Sequence, residues 1–182
     1  MSKAGFGAII LAAGLVLAAS GAEAQTRTRS LGDGRVVTVP VQVANCSRAE
    51  VTEDTAEALT LDYSCTVESA EGGQPDTEGT GALVIMGTPQ RQMPLQFLAA
   101  HARSWWPEGF NIEDVASYTT KSTANGEVAL YCIYRDDVAA LAGDAVCVID
   151  QPTLQVVIGG RSTMALTADN VVDLILRSLT IR

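Results

Sequence analysis

Between residues 59 and 67 the chain alternates without a break. Leu59, Leu61, Tyr63, Cys65 and Val67 fall on one face of an extended chain, and Thr60, Asp62, Ser64 and Thr66 fall on the other. A period of two marks a strand with one buried face. A cysteine on that face can be bridged only to a close spatial neighbour, one whose Cα lies within about 7 Å. The four cysteines, Cys46, Cys65, Cys132 and Cys147, therefore restrict which strands can be neighbours. Cys46 closes the preceding strand-like run, and a hairpin would return it to Cys65. Cys132 shares a face with Val128, Leu130 and Tyr134, and Cys147 shares one with Ala145 and Ile149. Two adjacent antiparallel strands would set these two opposite each other. Four cysteines permit three connectivities. Strand phase favours Cys46–Cys65 with Cys132–Cys147, each closing a short loop and contributing about 3 kcal/mol in the chain-entropy picture.

The alternatives for these thiols are metal binding and redox exchange. Zinc sites use C-x2-4-C pairs and thioredoxin-type thiols use C-x-x-C, and neither spacing occurs. The N-terminal residues supply the oxidising context that disulfides need. Lys3 is followed by an apolar stretch from Phe6 to Ala19, and Ala22-Glu23-Ala24 matches the small-x-small cleavage pattern. This reads as a signal peptide over 1–24, too short for a spanning helix. No cysteine stands at the cut to accept a lipid. The expected mature chain runs 25–182 as one domain, periplasmic or secreted, with no membrane insertion after signal cleavage. Lys121 is the only lysine after Lys3, an arginine bias that hints at a GC-rich bacterial genome.

Charge narrows the function classes. Twelve Lys+Arg against 21 Asp+Glu give a net charge of −9, so no basic face is expected for a nucleic acid. A hydrophobic share of 47% fits a packed core.

Val37, Val39, Val41 and Val43 alternate with polar neighbours, predicting a half-buried strand. Pro40 cannot donate to a ladder, which predicts an edge position. Residues 25–34 read as a loose start and 47–57 as an acidic connection. Residues 69–80, with three Gly, a Pro and three acids, read as a mobile loop. Leu83–Met86 is a short buried strand. Pro94 opens a helix whose apolar residues recur through Leu98, Ala102 and Trp106, ended by Pro107. Strands are expected near 112–121, 127–135, 144–150 and 154–160. Asn125-Gly126 and Gln151-Pro152-Thr153 are read as turns, and Gly159-Gly160 as a turn or strand end. Thr167 is the expected N-cap of an apolar C-terminal helix containing Val171, Val172, Ile175 and Leu176. The fold class is α+β: a largely antiparallel sheet with about two packed helices, stabilised by disulfides.

The helix from Pro94 to Trp106 and the ending from Val171 to Arg182, with Ile175-Leu176-Arg177-Ser178-Leu179, follow an order that resembles the PsbP-like α/β sandwich, including DcrB-type exported proteins. The resemblance spans most of the mature chain and is one of architecture. It carries over no site residue.

Catalytic motifs are missing from the sequence. There is no G-x-S-x-G elbow, P-loop or G-x-G-x-x-G. His101 is the only imidazole, and a lone base is weak support for catalysis. Asp136, Asp137 and Asp144 surround a hairpin connection without EF-hand spacing, and read as solvated acids rather than a calcium site. The most unusual cluster is Trp105-Trp106-Pro107 with Phe110, close to His101 and Arg103. Helix-end packing accounts for it most simply. Exposed Trp is also enriched in binding hot spots, so these residues form the candidate contact surface. The resulting expectation is a non-enzymatic envelope protein binding a partner protein or small ligand, without a metal or cofactor. The alternatives are a periplasmic hydrolase with a dispersed site and a stoichiometric inhibitor or scaffold.

Overall fold

The computed structural model describes residues 25–31, 34–68, 76–86, 94–106, 109–151 and 156–182. The expected signal peptide, loop residues 69–75, Pro107, Pro152 and Thr153 lie outside the described residues. The elements follow in chain order: β1 (Thr26–Ser30), β2 (Val36–Pro40), β3 (Glu50–Asp54), β4 (Ala58–Val67), β5 (Thr77–Met86), α1 (Pro94–Ala102), α2 (Ile112–Val115), β6 (Ser117–Thr123), β7 (Gly126–Asp137), β8 (Ala142–Ile149), β9 (Val156–Ser162), α3 (Ala165–Ser178) and β10 (Thr180–Ile181).

The seven-stranded sheet has the order β3-β4-β5-β9-β8-β7-β6, and a small sheet has the order β1-β2-β10. Every ladder is antiparallel. This is the expected α+β class, with helices packed on a largely antiparallel sheet. No described helix is long and apolar enough to cross a membrane.

The first face of the large sheet carries the main core. The alternating set from Leu59 to Val67 is buried there, facing α3 and the small sheet. Val37, Val39, Val41 and Val43 bury their side chains in the same core, so both sheets share one interior. Burying an aliphatic side chain contributes about 1.5–3 kcal/mol. Both cysteine pairs lie on this face. Cys132 stands directly opposite Cys147 in the β7–β8 ladder, and their sulfurs are bonded. Cys46 meets Cys65 through an isolated bridge, and these sulfurs are bonded too. The pairing favoured by strand phase is the one observed.

Close approach of α3 depends on missing side chains. A Cβ on Gly160 would lie 2.1 Å from the carbonyl oxygen of Ala168, and one on Gly143 would lie 1.9 Å from the backbone of Met164. Gly159-Gly160 is thus mid-strand in β9, not a turn, and its glycines admit the helix.

Several sequence expectations are corrected. β2 is the central strand of the small sheet, not an edge. Pro40 is tolerated because it shares the backbone parity of Val36, which pairs with Arg182, so its nitrogen faces the side where β10 has already ended. Thr77–Thr80 belong to β5, paired with β4, and not to a loop. The loose start contains β1 and the acidic connection contains β3. The stretch expected as a strand from 112 divides into α2 and β6. Thr167 is buried inside α3, whose N-cap is Met164 with no side-chain bond. Asp136, reaching from β7, accepts from the Ala165 N–H at 2.7 Å and does the capping instead.

The second face is covered by α1 over β7 and β8. Leu98 and Ala102 are fully buried against Ile133, Val146 and Val148 of β7 and β8. α1 ends at Ala102, one turn earlier than the apolar spacing implied. Trp105 and Trp106 follow in a turn, their N–H groups donating to Ala102 O.

Candidate functional site

The second face is ordered in cross-strand rows, because directly paired residues point the same way. The row beneath α1 is apolar in its centre: Val84 pairs with Val157, and Val157 with Val148. The next row begins with Glu50 opposite Asp62, continues through Ala82 and Gly159, and ends at Val146 and Ile133. A third row runs Ser64, Thr80, Arg161, Asp144 and Arg135. α1 lies over β7 and β8, so among the described residues the β4–β5–β9 part of the second row is open. Its centre is low because Ala82 and Gly159 are small, and a Cβ on Gly159 would meet nothing closer than 4.0 Å. The result is a groove of about 630 Å³.

One wall of the groove comes from the end of α1: His101, Ser104 and Trp105. The His101 ring meets Trp105 edge-on at 5.2 Å between centroids. Burial of the imidazole lowers its pKa from the ordinary value, and the carboxylate of Asp144 opposes that shift. The balance favours the neutral form of the ring as an aromatic partner. Ser104 Oγ donates to the backbone carbonyl of His101 at 2.8 Å, not to the imidazole.

The groove is charged at both ends. Asp144 is buried and accepts from Arg161 Nε at 2.7 Å. That bond, with the Coulomb attraction of Asp144, raises the Arg161 pKa further. The Arg161 side chain is 67% exposed, and its two Nη groups make no bond to another described residue. At the opposite end Glu50 and Asp62 face each other across β3 and β4, a placement that like charges disfavour. Neither carboxylate has an ion-pair partner among the described residues. Arg48, also on the groove, turns its guanidinium to Gln25. No group of three or more metal-ligating side chains occurs among the described residues.

The candidate contact surface divides in two. His101 and Trp105 line the groove. Arg103, Trp106 and Phe110 line a separate cleft of about 410 Å³ beside α2. The aromatic rings connect the two, with Trp105–Trp106 at 5.7 Å and Trp106–Phe110 at 5.9 Å. Both tryptophans are half-buried and pack on the second core, so helix-end packing and wall-lining coexist. Sequence reasoning missed Glu50, Asp62, Ala82, Gly159 and Arg161. The signal for Asp62 was its place on the polar face of β4. Asp144, read as a hairpin acid, is the anchor of Arg161, and Asp137 is spent on the Ala140 N–H and Arg135.

No family model, curated protein or solved structure matches this chain.

Proposed function

We propose that the chain is a small exported protein of the cell envelope, periplasmic or secreted, that binds a ligand or partner segment in the groove without turning it over. One observation carries this reading. Among the described residues, the sheet's second face is left open over β4, β5 and β9, and the opening is walled by Trp105 and bounded by charges with unused bonding capacity. Concave sites with an apolar wall and a few placed polar groups are the usual form of ligand pockets. The two disulfide bonds fit an oxidising compartment.

The hydrolase alternative would need His101 as base. Ser104 Oγ, on the same wall, donates to a backbone carbonyl, and no described hydroxyl is hydrogen-bonded to the ring as an activated nucleophile would be.

The test is native mass spectrometry of protein purified gently from its own host, with Trp fluorescence as a second readout. A bound mass in the wild type that is lost in A82W, with thermal stability unchanged, supports the groove. G159L fills the floor independently. Filled variants that hold the same mass as the wild type overturn the reading.

A further inference from the structure

We infer that the groove takes a zwitterionic, peptide-like ligand, its ammonium end between Glu50 and Asp62 and its carboxylate end on Arg161; this rests on the groove-binding reading above. Three separate features of the groove lead there.

The first is the opposed carboxylate pair. Glu50 and Asp62 are direct register partners on the open face, and neither has a counter-ion among the described residues. Bringing a cation between them removes their repulsion and adds two charge-assisted hydrogen bonds. The second is Arg161. Its Nε is held by buried Asp144, which fixes the plane of the guanidinium and leaves both Nη groups for an incoming acceptor. A fork held this way suits the two oxygens of a carboxylate. The third is the floor and wall between the two ends. Ala82 and Gly159 leave room for a chain to cross, and Trp105, with the His101 ring edge-on to it, offers an aromatic side.

The spacing selects the length of the ligand. Asp62 and Arg161 lie on strands two apart and in adjacent rows. Strand spacing and rise place their Cα atoms about 12 Å apart. An extended tripeptide, about 10 Å between its charged ends, is on the scale of that separation, whereas the charges of a single amino acid lie within one residue's length and fall well short of it.

The experiment uses an equimolar mixture of free tripeptides, the same mixture N-acetylated, and the same mixture C-amidated, each titrated into the whole protein by Trp fluorescence and native mass spectrometry. Free tripeptides should bind, and each cap should weaken binding at least tenfold. R161Q should abolish the penalty of C-amidation, and D62N should reduce that of N-acetylation. The capped peptides probe the same charges in the unaltered protein, so a variant that fails to fold does not blunt the test. Loss with only one cap, or equal binding of all three mixtures, overturns the two-ended assignment while groove binding stands. Failure of every tripeptide, with the host-derived mass still displaced by A82W, overturns it as well. Failure of both removes the groove reading itself.

Discussion

Two consecutive glycines in β9 should respond oppositely to the same methyl group. The Gly160 Cβ position lies 2.1 Å from the Ala168 carbonyl oxygen, against an ordinary contact of 3.4 Å or more. G160A therefore forces α3 and β9 apart by more than an ångström. The helix buries seven residues against the sheet, Val171, Val172, Ile175 and Leu176 among them. A gap of about 0.5–1 Å forfeits a quarter to a half of a contact's dispersion energy. The cost falls at the top of the overpacking range, about 3 kcal/mol. G159A meets nothing nearer than 4.0 Å, and restricting the unfolded chain should stabilise it by about 0.5 kcal/mol. The difference of about 3–4 kcal/mol is read by urea unfolding followed by circular dichroism. In melting temperature G160A should fall by about 6–12 °C. Stabilities of the two variants within 1 kcal/mol of each other would refute the packing argument.

Three further outcomes test other parts of the fold. Lys121 bonds Asp169 at 2.8 Å and Asp173 at 2.7 Å, so K121M should cost about 2 kcal/mol by leaving both carboxylates without a counter-ion and Asp169 with the Tyr134 hydroxyl alone, measured by denaturant titration. Burial alone would lower the Lys121 pKa, but the two carboxylates raise it on balance. Its contribution is thus complete below the unfolded value near 10.5 and is lost as pH rises through the higher folded value, a loss K121M should lack. D136A should cost about 1 kcal/mol at equilibrium, by removing the acceptor for the Ala165 N–H. Under mild reductant Cys46–Cys65 should open before the fully buried Cys132–Cys147, as read by alkylation and mass spectrometry.

Local pattern reached as far as its own periodicity. The alternation from Leu59 to Val67 gave the buried face of β4, and cysteine phase gave both disulfides, because each depends on neighbours two residues apart. β1, Thr-Arg-Thr-Arg-Ser, is largely exposed and has no apolar repeat, so only its ladder with β2 makes it a strand. β3 is acidic for the same reason: it is an edge strand with a bulge between Val51 and Glu53. β10 is two residues long and exists through Val37 and Thr38. The rarity of tryptophan marked Trp105 and Trp106 in the sequence. Nothing local could join Asp62 to Arg161, since register across three strands brings them to one groove.

The same register explains why a stable core and an open groove occur on one short strand. Adjacent residues of β9 point to opposite faces. On the first face Gly160 lets the α3 backbone approach, and the closeness of that contact supports the main core. On the second face α1 is too short to cover the whole sheet, and Gly159 adds no side chain to fill what is left. Substitutions at the even position should therefore act on stability, and those at the odd position on ligand capture with the fold intact. A strand serving only the core would have no reason to keep position 159 empty, since alanine there meets no clash and improves strand propensity. Ligand capture that falls in G159A while stability rises would show that this glycine is kept for the groove.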